Sequence, residues 1–382
     1  MTSRKSILLI IFTVVFIDLL GFGIVLPLLP RYGAHFNANS MQLGLLMASF
    51  SAMQFLFAPF WGALSDRIGR RPVLLVGLVG STFAYAMFGV ATSLGRHGSF
   101  VGLSALTWLF ITRIIAGISG ATISTAQAVI ADCTGAEGRG KGMALIGAAF
   151  GIGFTFGPLI GAACTHSGPS LALNDEQYAM VQAWNATDEI TGAEPVLQLL
   201  TADNHQLQQA DLEALKQYLA RPLPAVQIRA AILEPPSAMP GYVAAALSAL
   251  ALLLAIARLP ESRPTSSEQP TTSHHRGMLQ LTRMFRHLGE RRFAVILSSI
   301  FITTFAFAQF ESTLSLLTRE FGYSSQRNFL LFAYIGAILM IGQGMLVRRL
   351  LPRIGEYRMA LIGVTLMTCG FVLIALTANK TL

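Results

Sequence analysis

The chain has 382 residues, of which 53% are hydrophobic and 12% charged, and its formal net charge is +8. A mean hydropathy of +0.58 describes more apolar surface than a soluble core of this size hides, so a soluble globular domain and a disordered chain are both excluded. Cys133, Cys164 and Cys369 are the only cysteines, at spacings that suit neither a disulfide framework nor a metal site, and no cofactor is expected.

A hydrocarbon core about 30 Å thick takes about 20 apolar residues in helix, because unpaired backbone groups are not tolerated in lipid. Nine such stretches are predicted: 7–29, 41–61, 72–93, 104–130, 142–164, 241–258, 293–317, 329–347 and 358–377. The expected class is an all-α polytopic membrane protein. The first stretch follows Arg4 and Lys5 as a signal peptide would. It is long, carries Asp18 and prolines and lacks a small-residue cleavage site, so it is read as a retained span. Asp18 sits near its middle, where an acidic residue costs roughly 2.5–3.5 kcal/mol and normally faces a water-filled cavity. Its two readings are a proton carrier and a static hydrogen bond to a neighbouring helix.

The second span contributes Gln54 as a cavity candidate and leads into a dense polar run, Gly62 to Arg71. There Gly62 and Gly69 permit a tight reversal, and Asp66 can pair with Arg67, Arg70 or Arg71 or accept helix N-terminal N–H groups. Asp132 and Arg139, at the next turn on the same side, are natural partners for a latch that breaks and re-forms. The alternative is topological anchoring by the arginines alone. In the fourth span, helical spacing places Gly117, Gly120, Ser124 and Gln127 on the face of Arg113, a polar, small-residue stripe expected to line a cavity. Arg113 either holds a carboxylate such as Asp18 ionised or serves as a buried structural counter-ion. In the fifth span Gly153, Gly157 and Gly161 recur every fourth residue beside Pro158, which makes a seam for close helix packing.

Residues 165–240 form an acidic insertion expected on the outer side, with an amphipathic stretch from Asp203 to Ala220 and Asp203 as its N-cap. Residues 259–292 are Ser/Thr/Pro-rich and then basic, and read as a cytoplasmic linker with a short amphipathic piece from Met278 to Leu288. In the seventh span Thr304, Ala308, Glu311 and Ser315 make a second polar stripe with Gln309 beside it. Glu311 either binds cationic cargo or sits at the wet interface.

With the N-terminus inside, Arg67, Arg70, Arg71, Arg139, Lys141, Arg258 and the basic residues of 276–292 and 348–358 all fall inside as well, as the positive-inside rule requires. The net charge is thereby explained by topology and needs no nucleic acid. Residues 67–77 and 353–363 align without gaps from Arg67-Ile68-Gly69 and Arg353-Ile354-Gly355, at an offset that lays the first span on the seventh. Parallel repeats of one unit are expected. The domain reading is therefore 1–164 as helices 1–5, 165–240 as the insertion, 241–258 as helix 6, 259–292 as the linker and 293–382 as a partial second bundle. That is a six-helix half followed by an incomplete three-helix half.

These features resemble the major facilitator superfamily, and within it the drug/proton antiporters that include the tetracycline-resistance exporters. The run from Gly62 to Arg71 is similar to the signature between the second and third helices. Arg113, Gly117 and Gly120 resemble the fourth-helix signature, and Gly153, Gly157, Pro158 and Gly161 the fifth-helix signature of antiporters. Leu259-Pro260-Glu261-Ser262 after span six is similar too. The resemblance implies a proton-coupling role for an acidic residue in the first span and a leak-limiting seal at the fifth-helix glycines. His274 and His275 lack catalytic partners, and no phosphate-cradling loop is present, so an enzyme or an ATP-driven pump is not expected. The expected function is proton-coupled export of a small amphipathic compound from the inner or plasma membrane. A proton symporter or facilitator of the same fold is the first alternative, and a truncated, non-transporting membrane protein the second. Oligomeric state is not readable.

Overall fold

The structure is a computed structural model that describes residues 4–134, 139–165, 175–184, 224–233, 236–261, 291–321, 325–342 and 348–378, with 173, 198, 200, 215 and 323. Helix α1 (Arg4–Val25) passes through a 3₁₀ turn (Leu26–Leu28) into α2 (Leu29–His35). Pro27 and Pro30 remove two N–H donors there, so the α-helical ladder breaks while the apolar run continues to His35. The first span is thus six residues longer than expected. Asn39 starts α3 (Ser40–Ile68) with a reciprocal capping box to Gln42, at 2.8 and 2.9 Å. After the reversal at Gly69 comes α4 (Arg70–Ser93) and a two-stranded antiparallel hairpin, β1 (Ser99–Phe100) paired with β2 (Leu103–Ser104). Ser104 caps α5 (Ala105–Gly120), which is separated from α6 (Ile123–Cys133) by a break at Ala121 and Thr122. Then follow α7 (Arg139–Cys164), two short helices, α8 (Asp175–Ala183) and α9 (Ala225–Leu233), and α10 (Met239–Arg258). The chain continues with α11 (Arg291–Glu320), α12 (Ser325–Ile341), α13 (Arg348–Ile354) and α14 (Glu356–Ala378).

Among the described residues, eight helical segments are long and apolar enough to cross a membrane, and 326–341 is a shorter apolar helix. The expected stretch 329–347 therefore starts earlier, and 343–347 lie outside the described residues. So do the cap at Asp203 and nearly all of its amphipathic stretch, and the piece from Met278 to Leu288. Leu215 alone of the former is described, and it is buried.

Residues 1–269 and 311–336 form one compact unit, and 270–310 with 337–382 a second. In the first, α1 lies at the centre against α7 and α10, while α4 packs on α5 and α10. In a bilayer, lipid is as apolar as leucine, so helices associate through close packing and hydrogen bonds. The glycines of α7 supply that closeness. A Cβ on Gly157 would lie 2.8 Å from Gly23 Cα, and one on Gly23 would lie 2.8 Å from the Gly153 carbonyl oxygen. Gly161 admits the ring of Phe329, which is fully buried. The same unit holds a buried polar cluster. Ser315 donates to the Pro27 carbonyl at 2.9 Å, Asn328 Nδ2 reaches the same oxygen at 3.4 Å and Ser315 Oγ at 3.1 Å, and Thr318 donates to Asn328 Oδ1 at 2.6 Å. In the second unit, Phe310 and Phe371 rings meet at 5.7 Å. Each unit has one glycine with positive φ opening a long helix, Gly69 (+109°) before α4 and Gly355 (+84°) before α14, at matching positions of the internal repeat.

Candidate functional site

Helices α1, α3, α4, α5, α6 and α7 enclose a cavity of about 100 Å³. Asp18 lines it from α1, one helical turn before Phe22. The Ser248 hydroxyl of α10 donates to Asp18 Oδ1 at 3.4 Å, and the Ser81 hydroxyl of α4 is a second hydrogen-bond partner. Both serines are buried. Tyr85, one turn beyond Ser81, lines the same cavity with its ring against Gly21. Gln54 closes the α3 wall, where its amide donates to the Gly120 carbonyl at 3.2 Å.

Arg113 is 1% exposed, yet among the described residues it makes no ion pair or hydrogen bond, and its Nε lacks a partner. Its guanidinium lies 4.5 Å from the centre of the Phe50 ring and 5.9 Å from that of Phe22, and both rings line the cavity. The expected pairing of Arg113 with Asp18 is therefore absent. The Phe22 and Phe50 rings lie against the cation, and the serines hold the acid. Gly117 and Gly120 do share the face of Arg113, where they pack on Phe50. Gln127 is exposed, Gln309 is exposed and Glu311 is half-buried, and none of the three lines this cavity.

At the polar end of α3, Arg70 is the hub. Its Nη1 meets Asp66 Oδ1 and Ser65 Oγ, each at 2.6 Å, and its Nε meets Asp132 Oδ2 at 3.2 Å. Glu261, beyond α10, accepts the backbone N–H groups of Arg70 and Arg71 at 2.9 and 3.1 Å, and so caps the N-terminus of α4. Arg71 in turn donates to the Ile256 carbonyl at 2.7 Å, near the C-terminal end of α10. Gly69 has φ +109° and ψ 158°, a conformation that is essentially glycine's alone, and a Cβ there would lie 2.6 Å from Glu261 Oε2. Gly62 differs from expectation. It lies inside α3 with open space where a Cβ would be, because the helix runs on to Ile68 and only Gly69 makes the reversal. Arg67 is exposed, and the side chain of Arg139 lies outside the described residues.

The aromatic seat of Arg113, the serines on Asp18 and the Glu261 cap are not among the sequence candidates. Lone serines in apolar runs carry no signal of their own. The paired prolines at 27 and 30 do, since they withdraw N–H donors that helical carbonyls would otherwise use.

A family model described as Major Facilitator Superfamily matches residues 11–173 and 237–381. The chain belongs to the major facilitator superfamily. The two matched stretches leave out 174–236, inside the segment that reads as an insertion. This superfamily member is 41% identical over 180 residues to the tetracycline resistance protein, class C, of Escherichia coli, covering 45% of this chain and 42% of that one. It is 35% identical over 193 residues to the class B protein of the same organism, covering 48% and 44%. The chain thus matches less than half the length of these relatives. Against human major facilitator superfamily domain-containing protein 10 it is 30% identical over 403 residues, covering 97% of this chain and 73% of that one. Two crystal structures share the fold, each at a TM-score of 0.56. One is the human organic anion transporter MFSD10 (TETRAN), at 24% identity and covering 91% of this chain and 73% of that one. The other is a bacterial homologue of the human lysosomal transporter Spinster, inward-facing and unoccupied, at 15% identity and covering 92% and 64%. Family and apolar helices together make this a multi-pass membrane protein.

Proposed function

We propose that the chain is a secondary active transporter that exports a small amphipathic compound in exchange for protons by alternating access, in the inner or plasma membrane with its N-terminus in the cytoplasm. The observation that carries the reading is Asp18, a carboxyl in mid-span that opens on a cavity and has hydroxyl partners but no cation. Such a group takes and gives up a proton without breaking a salt bridge. Relatives named for tetracycline resistance support the export direction. Asp66, Arg70, Arg71 and Asp132, with Glu261, act as the latch that ties α3, α4, α6 and the segment after α10 in one state. Gly153, Gly157, Pro158 and Gly161 keep α7 sealed against its neighbours. Gln54 offers cargo a polar contact. Lipid, cargo and protons are the partners, and no nucleic acid is involved.

Everted vesicles give the direct experiment. Asp18→Asn, which is nearly isosteric, is expected to lose at least tenfold of the uptake driven by a pH gradient while keeping gradient-independent exchange. Undiminished gradient-driven uptake would refute the role of Asp18. The second reading, cotransport of cargo with protons, is favoured by one observation: the cavity holds a carboxyl, Asp18, whose hydrogen-bond partners are hydroxyls, so a proton bound there can travel in the same direction as cargo bound beside it.

A further inference from the structure

We infer that α6 is a lever between the cavity and the Arg70 latch, hinged at Ala121 and Thr122, so that a hydrogen-bond acceptor entering beside Gln54 loosens the hold of Asp132 on Arg70. The hinge is a fault in the backbone ladder. In an unbroken helix the N–H groups of Thr122 and Ser124 would reach the carbonyls of Ile118 and Gly120, four residues back. Here they turn to Ser119 and Ala121, three residues back, at 3.2 and 3.4 Å. Two carbonyls are thereby released, and α3 takes both. Trp61 Nε1 donates to the Ile118 carbonyl at 2.7 Å and Gln54 Nε2 to that of Gly120 at 3.2 Å. Separated by two helical turns, these side chains share one face of α3. Behind the break, Gly77 and Gly80 of α4 leave the room that Thr122 and Ser119 fill.

One of the two clamps is within reach of cargo. Gln54 and Gly120 line the cavity, as do Thr122, Ile123 and Ala126 at the start of α6. An acceptor that draws the Gln54 amide to itself leaves the Gly120 carbonyl without a partner away from water, which disfavours the present shape of the break. The far end of α6 is where that is felt. This helix has 11 residues, about 16 Å of rise, and Asp132, one residue from its end, bonds Arg70 Nε at 3.2 Å. A short helix swings as one body about the residues that absorb the backbone change, here Ala121 and Thr122. Thr125 adds a cost to the observed position. Its hydroxyl is fully buried in the first turn of α6 and has no hydrogen-bond partner among the described residues, a penalty that a turned helix can relieve. Coupling of this kind is reciprocal, so release of Asp132 also loosens the clamp at Gln54. The inference rests on the transport reading only in taking the cavity to be the cargo site.

Two native thiols report the movement. Cys133 follows Asp132 and packs, half-buried, against the core around α6, whereas Cys164 ends α7. Two full-length chains are purified in detergent and reacted with fluorescein-5-maleimide, one keeping only Cys133 and the other only Cys164, with serine at the remaining cysteines. A net hydrogen bond is worth a factor of about five in an equilibrium, so Gln54→Met, which keeps the length and withdraws the donor as cargo would, should raise the rate at Cys133 at least threefold. Asp132→Asn should do the same from the other end. In the doubly substituted chain the two factors should multiply, because both bonds hold one helix in one position. The rate at Cys164 should not change. An unaltered rate at Cys133 in Gln54→Met overturns the inference, and so does an equal rise at Cys164, which means a general loosening of the unit. Should Gln54→Met not fold, Trp61→Phe removes the other clamp, with the same expected rise and the same refutation. No gradient enters this measurement, so its failure leaves the vesicle result for Asp18 standing, and loss of proton coupling in vesicles leaves the lever standing.

Discussion

Gly69 shows how one residue can be demanded twice. Its backbone sits in a region that side chains rarely enter, and the Glu261 carboxylate occupies the space a Cβ would take. Gly69→Ala should therefore lower stability by about 1–3 kcal/mol from backbone strain alone, read as a fall in melting temperature of the detergent-purified chain. Gly44, with nothing within 4 Å of a Cβ, is the matched control, and Gly44→Ala should be neutral or stabilising. Charge follows the same local logic. Asp66 is 66% exposed and bonds Arg70 across the reversal at Gly69, whereas Asp132 is 22% exposed and bonds Arg70 from α6. An ion pair with an exposed partner is worth about 0.2–1 kcal/mol, so Asp66→Asn should barely move the melting temperature, and Asp132→Asn should move it more.

Helix pairs are governed by what their contact faces lack. The approach of α1 to α7 is backbone against backbone at Gly23, Gly153 and Gly157, so no flexible side chain is available to move aside. Gly157→Val should force the helices apart and cost more stability than Asp66→Asn or Gly44→Ala, measured by thermal unfolding. Broken helices create the opposite demand. The interruption between α1 and α2 offers the Pro27 carbonyl to Ser315 and Asn328, and the cluster is fully buried. Asn328→Ala leaves Thr318 and Ser315 short of a partner and should cost about 1–3 kcal/mol, whereas Asn328→Asp keeps the acceptor for Thr318 and loses the donor to Ser315 and Pro27. The Glu261 cap belongs to this scale too. Losing it in Glu261→Ala should cost about 0.5–2 kcal/mol, and Glu261→Gln less.

At the scale of the whole molecule, class and span order were legible because hydrophobic length is a coarse quantity that survives errors of several residues. The reversal at Gly69, the glycine seam of α7 and the acid of α1 were legible because glycine, and a carboxyl in an apolar run, each have few reasons to be where they are. Contacts between segments far apart in sequence were not. The run 259–262 singles out Glu261 without saying that its carboxylate would cap α4, and nothing local says that Phe22 and Phe50, rather than Asp18, would meet Arg113. Gly62 misled for a related reason, since a glycine beside a polar run reads as a turn until the helix is seen to continue through it.

The central claim is that a proton on Asp18 is what couples cargo to the gradient. Proteoliposomes with a trapped pH dye test it most directly: a labelled amphipathic probe is applied as a gradient, and proton and probe movements are followed together. The account predicts that the unmodified chain moves protons with the probe flux, while Asp18→Asn still exchanges the probe but moves no protons. Proton movement of equal size in both would contradict it.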